Sequence, residues 1–223
     1  MTHRRTVRAA AGATSGRTQH TSTRRRLVAC AGDLFTERGY AGTSLDEVVG
    51  AAHVTKGALY HHFSGKQALF GAVFEATEDA AVKEIEAQVR SVKDPWERAS
   101  VGVRAFMDVC REPRFRRIVM QEGPAALGFE GFREADERNT YGLVKEIVDA
   151  VLTPYEVRAG IAETFTRVFY GAMTSAGMSV ASADEPELAA QEVETVIGLV
   201  LAGLRQLVET GPGLLDSAAA SRE

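Results

Sequence analysis

The sequence predicts an all-α protein, with a small N-terminal three-helix domain joined by one long helix to a larger helical domain. Three observations predict it. Apolar residues recur at helical spacing from Leu27 to Val208, and no stretch alternates as a strand would. Three short helical segments crowd between residues 24 and 63, the last two separated only by His53 and Val54. Beyond them, Pro95, Pro113, Gly123-Pro124, Pro154 and Gly211-Pro212 cut the chain into helical lengths.

Residues 1–22 are rich in Thr, Ala, Ser and Arg, contain no acid and have no apolar periodicity, so a disordered basic arm is expected there. Seven arginines, at 4, 5, 8, 17, 24, 25 and 26, precede the first acid, Asp33. Two readings of this stretch stand side by side: a solvated leader or an early start codon, and an arm that adds phosphate contacts or reaches a minor groove.

Residues 23–70 form the first expected domain. Its opening helix, Arg24 to Arg38, carries Leu27, Cys30, Ala31, Leu34 and Phe35 at i, i+3, i+4, i+7 and i+8, with Gly39 placed to end it. Ser44-Leu45-Asp46-Glu47 reads as a capping box, and Leu45, Val48, Val49 and Ala52 supply the apolar stripe of the second helix. On the third, Val54 to Phe63, roughly 100° per residue puts Ala58, Leu59, His62 and Phe63 on one side. Lys56, Gly57, Tyr60 and His61 fall on the other. A cation, a residue without a side chain, an aromatic hydroxyl and an imidazole suit phosphates and base edges. This is the helix-turn-helix order, in which the later helix enters the major groove. His62 is expected to be packed inward and His53 to sit in the turn, neither at metal-ligand spacing.

The run from Ala29 to Phe70 resembles the N-terminal domain of the TetR/AcrR family of transcriptional regulators. The likeness lies in Ala31-Gly32-Asp33-Leu34-Phe35, Glu37-Arg38-Gly39-Tyr40, Thr43-Ser44-Leu45-Asp46-Glu47-Val48, Val54 through Phe63, and Lys66-Gln67-Ala68-Leu69. The resemblance implies that Thr55, Lys56, Gly57, Tyr60 and His61 touch DNA and that Thr43 and Lys66 hold backbone phosphates. It also implies a homodimer built on the last two long helices, a pseudo-palindromic operator, and a small-molecule effector whose binding changes the spacing of the two DNA-reading units. A repressor is the family's commoner case.

A long helix is expected from Ser64, with an S-x-x-Q cap at Ser64-Gly65-Lys66-Gln67, to the Lys93-Asp94-Pro95 break. It would join the first domain to the second, 71–211, so that a tilt at one end becomes a displacement at the other. Further helices are expected at Trp96–Cys110, Arg114–Glu122, about Glu130–Thr153, Tyr155–Val180 and Pro186–Thr210, with 125–129 irregular and 212–223 a disordered tail. Gly160, Gly171, Gly177, Gly198 and Gly203 interrupt the last two, which points to close helix approach.

Trp96, Phe106, Met107, Cys110, Phe115, Met120, Phe129, Phe165, Phe169 and Met173 are the candidate pocket residues. Aromatics and methionines around Gly- and Pro-broken helix ends fit either a plain core or a pocket for an apolar or amphipathic effector.

Charge divides the chain. Residues 1–70 hold ten Lys/Arg and four Asp/Glu, a balance of +6, while residues 71–223 hold sixteen and twenty-six, a balance of −10. The basic end is the expected DNA end. All five histidines, at 3, 20, 53, 61 and 62, precede Phe63, so the downstream domain has none for acid–base chemistry, a Ser-His-Asp triad or most catalytic zinc sites. Carboxylates such as Glu122, Glu130, Glu134 and Asp136 follow the spacing of solvated helix faces. No enzyme, cofactor or metal is expected. A helical scaffold that keeps the helix-turn-helix only as a packing unit is the other reading, against which the outward Lys56, Tyr60 and His61 and the basic end argue. Cys30 and Cys110 lie on apolar faces as expected buried thiols. With no apolar run of the ~18 residues a bilayer needs and no signal-peptide core, the cytoplasm is the expected location.

Overall fold

The computed structural model describes the backbone of residues 7–210 and the side chains of residues 21–210. The described residues are helical and loop, with no strand. They form α1 (Val7–Arg38), α2 (Leu45–Ala51), α3 (Lys56–His62), α4 (Lys66–Val89), α5 (Pro95–Arg111), α6 (Pro113–Phe115), α7 (Gly123–Asn139), α8 (Tyr141–Leu152), α9 (Ala159–Ser182) and α10 (Pro186–Thr210). A π-helical segment, Arg116–Glu122, joins α6 to α7, and a 3-10 turn, Thr153–Tyr155, follows α8. The chain divides into two compact units, Met1–Ala76 and Thr77–Glu223.

In the first unit, local chemistry sets the helix ends. Gly39 takes φ +74°, a left-handed conformation that costs other residues a Cβ clash, and its amide reaches the Phe35 carbonyl at 2.9 Å to close α1. Ser44 and Glu47 form the reciprocal capping box at α2, with the Glu47 amide 3.2 Å from Ser44 Oγ and the Ser44 amide 2.8 Å from Glu47 Oε2. The Thr55 hydroxyl caps α3 by accepting from the Ala58 amide at 3.2 Å. Leu27, Phe35, Val48, Leu59, Phe70 and Phe74 are fully buried, each contributing roughly 1.5–3 kcal/mol. Phe70 meets Phe35 and Tyr40 edge-on, both with centroids 5.2 Å apart.

Helix α1 starts earlier than periodicity predicted. Residues 7–22, expected to be disordered, continue it, while 1–6 of the expected arm lie outside the described residues. Ala9, Ala10, Ala11 and Ala13 are strong helix formers, and extending an existing helix needs no new nucleus and no buried face. The expected tail at 212–223 also lies outside the described residues.

In the second unit α5 packs against α8, α9 and α10, and α9 packs against α8 and α10. Asp94 caps α5 through the Glu97 amide at 2.8 Å, with Pro95 in the first turn. At Gly177 an added Cβ would lie 2.9 Å from Cys110 Sγ and 3.1 Å from Phe106, so α9 and α5 touch where that glycine permits. Gly160, Gly171, Gly198 and Gly203 have open space instead, so among the described residues one of the five glycines makes a close approach.

The connections between α5 and α9 depart from expectation. Residues 125–129, expected to be irregular, hold a non-helical residue, Gly128 (φ +75°, ψ 165°), at which two helical lengths of α7 meet in a kink. The single helix expected from Glu130 to Thr153 is split at Thr140 into α7 and α8. Helix α9 begins at Ala159 rather than Tyr155, because Glu156 takes a left-handed turn at φ +52°.

Candidate functional site: an exposed helix and a buried acid-lined cavity

Helix α3 divides its residues as its period requires. Leu59 and Phe63 are buried and Ala58 and His62 half-buried, while Thr55, Lys56, Gly57, Tyr60 and His61 are exposed. Tyr60 holds 58% of its surface in solvent, unusual for so large an aromatic. Thr55 Oγ1 accepts the cap hydrogen bond, which leaves its own proton free to donate. A Cβ added at Gly57 would meet nothing closer than Thr55 Oγ1 at 3.9 Å, so the protein itself has room for a side chain there. His53 occupies the turn before α3 at φ +49°.

Two cations beside α3 have partners. Lys56 Nζ lies 2.7 Å from the Asp46 carboxylate on α2, and this hydrogen bond and charge hold its pKa above the ordinary lysine value. Lys66 opens α4 with its ammonium 4.5 Å from the Tyr40 ring centroid and 3.5 Å from the Ala41 carbonyl. Arg38 pairs with Glu47 at 2.7 Å, while the Ser44 backbone amide, first among several contacts, holds the Glu47 carboxyl below its usual range.

Thr43 differs from its expected role. It is 2% exposed, and its hydroxyl faces the Gly39 and Leu34 carbonyls at 3.0 and 3.2 Å. Its side chain fastens the loop after α1 and is not presented to a phosphate. The Leu34 carbonyl belongs to the last turns of α1 and the Gly39 carbonyl to the residue that follows it, so the buried hydroxyl ties the loop to the helix end.

The second unit contains a cavity of about 70 Å³ lined by Ile85 of α4 and by residues of α5, α7, α8, α9 and α10. Of the candidate pocket residues, Phe106, Phe165, Phe169 and Met173 line it. The other six do not. Trp96 is buried with its indole N–H donating to the Tyr155 hydroxyl at 3.3 Å. Met107, Cys110, Phe115 and Met120 are packed in the core outside the lining. Phe129 is 76% exposed, one residue past the bend at Gly128. Apolar character alone did not separate core from cavity wall, because both are built from the same residue types.

Sequence reading missed the polar end of this cavity. Asp136, placed on a solvated face by its spacing, is 6% exposed and lines the cavity. It accepts a short hydrogen bond from the Tyr170 hydroxyl and a longer one from Thr174 at 3.4 Å. Behind it Glu78 of α4 is 1% exposed, hydrogen-bonded to the Asp136 carboxyl and to Asn139 Nδ2, the latter at 2.8 Å. Burial pushes Glu78 up to about 9 and raises Asp136 as well. Burial also raises the Tyr170 and Cys110 pKa values. A signal did exist: Phe132, Ala135 and Asp136 share one face of α7, and an acid in register with an apolar stripe is a buried-acid candidate.

Among the described residues no group of three or more His, Cys, Asp or Glu is placed to hold a metal ion, and no helix is long and apolar enough to cross a membrane.

Comparison with known proteins assigns both units. Residues 27–73 match the family described as bacterial regulatory proteins, tetR family. Residues 96–204 match the tetracyclin repressor-like C-terminal domain. The Transposon Tn10 TetC protein of Escherichia coli is 29% identical over 141 residues, 62% of this chain and 70% of that protein. The transcriptional activator FasR of Mycolicibacterium smegmatis is 35% identical over 85 residues, which span 38% of this chain and only 39% of FasR. The crystal structure of a TetR-family regulator from Pectobacterium atrosepticum superimposes with a TM-score of 0.74 at 28% identity, covering 84% of this chain and 96% of that one. The two family matches, one on the helix-turn-helix and one on the helical domain after it, place this chain in the TetR family of DNA-binding transcriptional regulators.

Proposed function

We propose that the chain is a homodimeric repressor that grips a pseudo-palindromic operator through α3 and releases it when a small, apolar or amphipathic molecule enters the α5–α10 cavity. The observation that carries the DNA half is the outward face of α3. Thr55, Lys56, Tyr60 and His61 project donors, a cation and aromatic surface into solvent, and Gly57 leaves the backbone approachable. Lys66 adds a cation at the first residue of α4. Thr43 drops out of the contact set because its side chain is buried. The site works in the cytoplasm on this reading, where chromosomal DNA is reached.

The dimer reading rests on the outer faces of α9 and α10. Val168 on α9 and Val196, Leu199 and Val200 on α10 are 67, 57, 70 and 50% exposed, apolar surface that a partner would cover. Gly171, Gly198 and Gly203, open within one chain, would let a second copy approach closely. A two-fold dimer would read half-sites about one helical turn apart or a multiple of it.

The effector reading rests on the cavity and on α4. That helix contributes Phe70 and Phe74 to the first unit's core and Ile85 to the cavity wall. At about 70 Å³ the cavity is smaller than an ordinary small-molecule site of ~300–1,000 Å³, so an occupant must part its lining. Such a ligand favours the expanded conformation, and coupling of about 1–3 kcal/mol would weaken DNA binding roughly 5- to 150-fold. Related regulators carry both signs in their names, FasR as an activator and DhaR of Mycobacterium sp. as a repressor. Transcription from the chain's own upstream promoter with and without the protein decides the sign. Lower output with protein present supports repression, and higher output overturns it.

A further inference from the structure

We propose that the effector of this cavity is a hydrophobic amine, an apolar body whose protonated nitrogen docks on Asp136. The inference rests on the reading of the cavity as the effector site and specifies what that site selects.

The polar end of the cavity offers acceptors and lacks positive charge. Lining residues supply one acid, Asp136, and no Lys, Arg or His. The Tyr170 and Thr174 hydroxyls both donate to Asp136 Oδ2, so what they leave facing outward is lone pairs. Behind Asp136 no donor outside the acid pair reaches Glu78 Oε1, and Asn139 already occupies Oε2. The strongest electrostatic influences on the two carboxyls are Asp79 and Glu137, the two carboxyls themselves and the neutral donors Tyr170, Thr174 and Asn139. None of these is a cation.

Burial, its largest influence, pushes the Glu78 carboxyl up to about 9, with the neighbouring Asp136 carboxyl adding to the rise. Burial raises Asp136 as well, while the Tyr170 and Thr174 hydroxyls that donate to it work in the opposite direction. The result is a buried acid site with hydrogen bonds and no cation among its lining residues, where an approaching ammonium would favour the ionised carboxylate. A buried charge is costly until it is paired. A ligand ammonium would supply the missing charge and direct its N–H groups at the surrounding acceptors. A carboxylate ligand would place a second negative charge beside Asp136, and an alcohol would offer a single donor and no charge. The rest of the wall, including Val103, Phe106, Val148, Phe165 and Leu201, would receive an apolar body.

The test uses three probes with one skeleton, 4-phenylbutylamine, 4-phenylbutanol and 4-phenylbutyrate, titrated into the full-length protein by calorimetry and into its complex with upstream DNA by fluorescence anisotropy. The amine should bind at least tenfold tighter than the alcohol and release DNA, with the carboxylate weakest. In Asp136→Asn the amine's advantage over the alcohol should disappear, and an unchanged melting temperature measured alongside separates loss of charge from loss of fold. Glu78→Gln, which keeps a donor toward Asp136, should retain the amine preference. Equal or tighter binding of the alcohol or carboxylate overturns the amine proposal and leaves the effector reading standing, as does loss of the preference in Glu78→Gln. If none of the three binds or releases DNA, the effector reading falls with it.

Discussion

The Lys56 ammonium on α3 is held 2.7 Å from the Asp46 carboxylate on α2, both side chains about two-thirds exposed. The cation that faces the proposed DNA surface is therefore already shared with an acid of the neighbouring helix. DNA must compete with Asp46 for it, and Asp46 itself repels phosphate. Replacing Asp46 by Asn should strengthen operator binding roughly two- to fivefold, with no gain in a Lys56→Ala background. Anisotropy titrations of the single and double variants measure this, and a weaker Asp46→Asn protein would show that the acid positions Lys56 instead of restraining it.

Gly57 separates a folding requirement from a binding requirement. Since a Cβ there meets nothing nearer than 3.9 Å, Gly57→Ala should fold normally and gain up to about 1 kcal/mol of helix stability. Operator affinity should nevertheless fall by about tenfold or more, because the added methyl stands between α3 and the groove. Thermal unfolding alongside DNA titration reads both; unchanged affinity would place DNA elsewhere on the helix.

How legible these features were in the sequence depended on range. The faces of α3 follow from its own period, so Leu59 inward and Tyr60 outward needed no tertiary information. The capping box at Ser44 and the left-handed Gly39 were likewise local. Thr43 misled because its burial depends on carbonyls at the end of α1, brought to it by the turn at Gly39. Asp136 misled for a related reason: only the packing of α4 and α9 against α7 turns that position into an interior one. The α7–α8 break at Thr140 carries neither Gly nor Pro, so periodicity ran straight across it.

The acid pair gives stability a pH signature. A carboxyl raised to about 9 in the folded chain, against 4.5 as the ordinary value, keeps a proton that the unfolded chain gives up. Its contribution is complete below about pH 4.5 and is lost as pH rises toward about 9, with a slope of up to about 1.4 kcal/mol per pH unit. Denaturant unfolding between pH 5 and pH 9 should therefore show a decline in the natural protein that Glu78→Gln flattens. Parallel pH profiles for the two proteins would mean that Glu78 is ionised in the fold.

The exposed apolar face predicts its own variant. Leu199 is 70% exposed, so Leu199→Asp should leave the helical content and the single-chain fold intact. Sedimentation should show the dimer weakened by tenfold or more, and operator binding should fall with it, since two linked half-site contacts become two separate ones. A Leu199→Asp protein that remains a dimer places the subunit interface on another surface.

The central claim is that the outward face of α3 reads DNA, and Tyr60, 58% exposed, tests it most directly. The measurement is binding of the natural protein and of Tyr60→Ala to the chain's own upstream DNA, titrated against salt, with the dimer mass determined for both. The natural protein should bind saturably and selectively, with a steep negative dependence on salt. Tyr60→Ala should keep the same mass and melting behaviour but bind that DNA no better than an unrelated duplex. Retained selective affinity in Tyr60→Ala, with the dimer intact, would contradict the assignment of α3 as the reading helix.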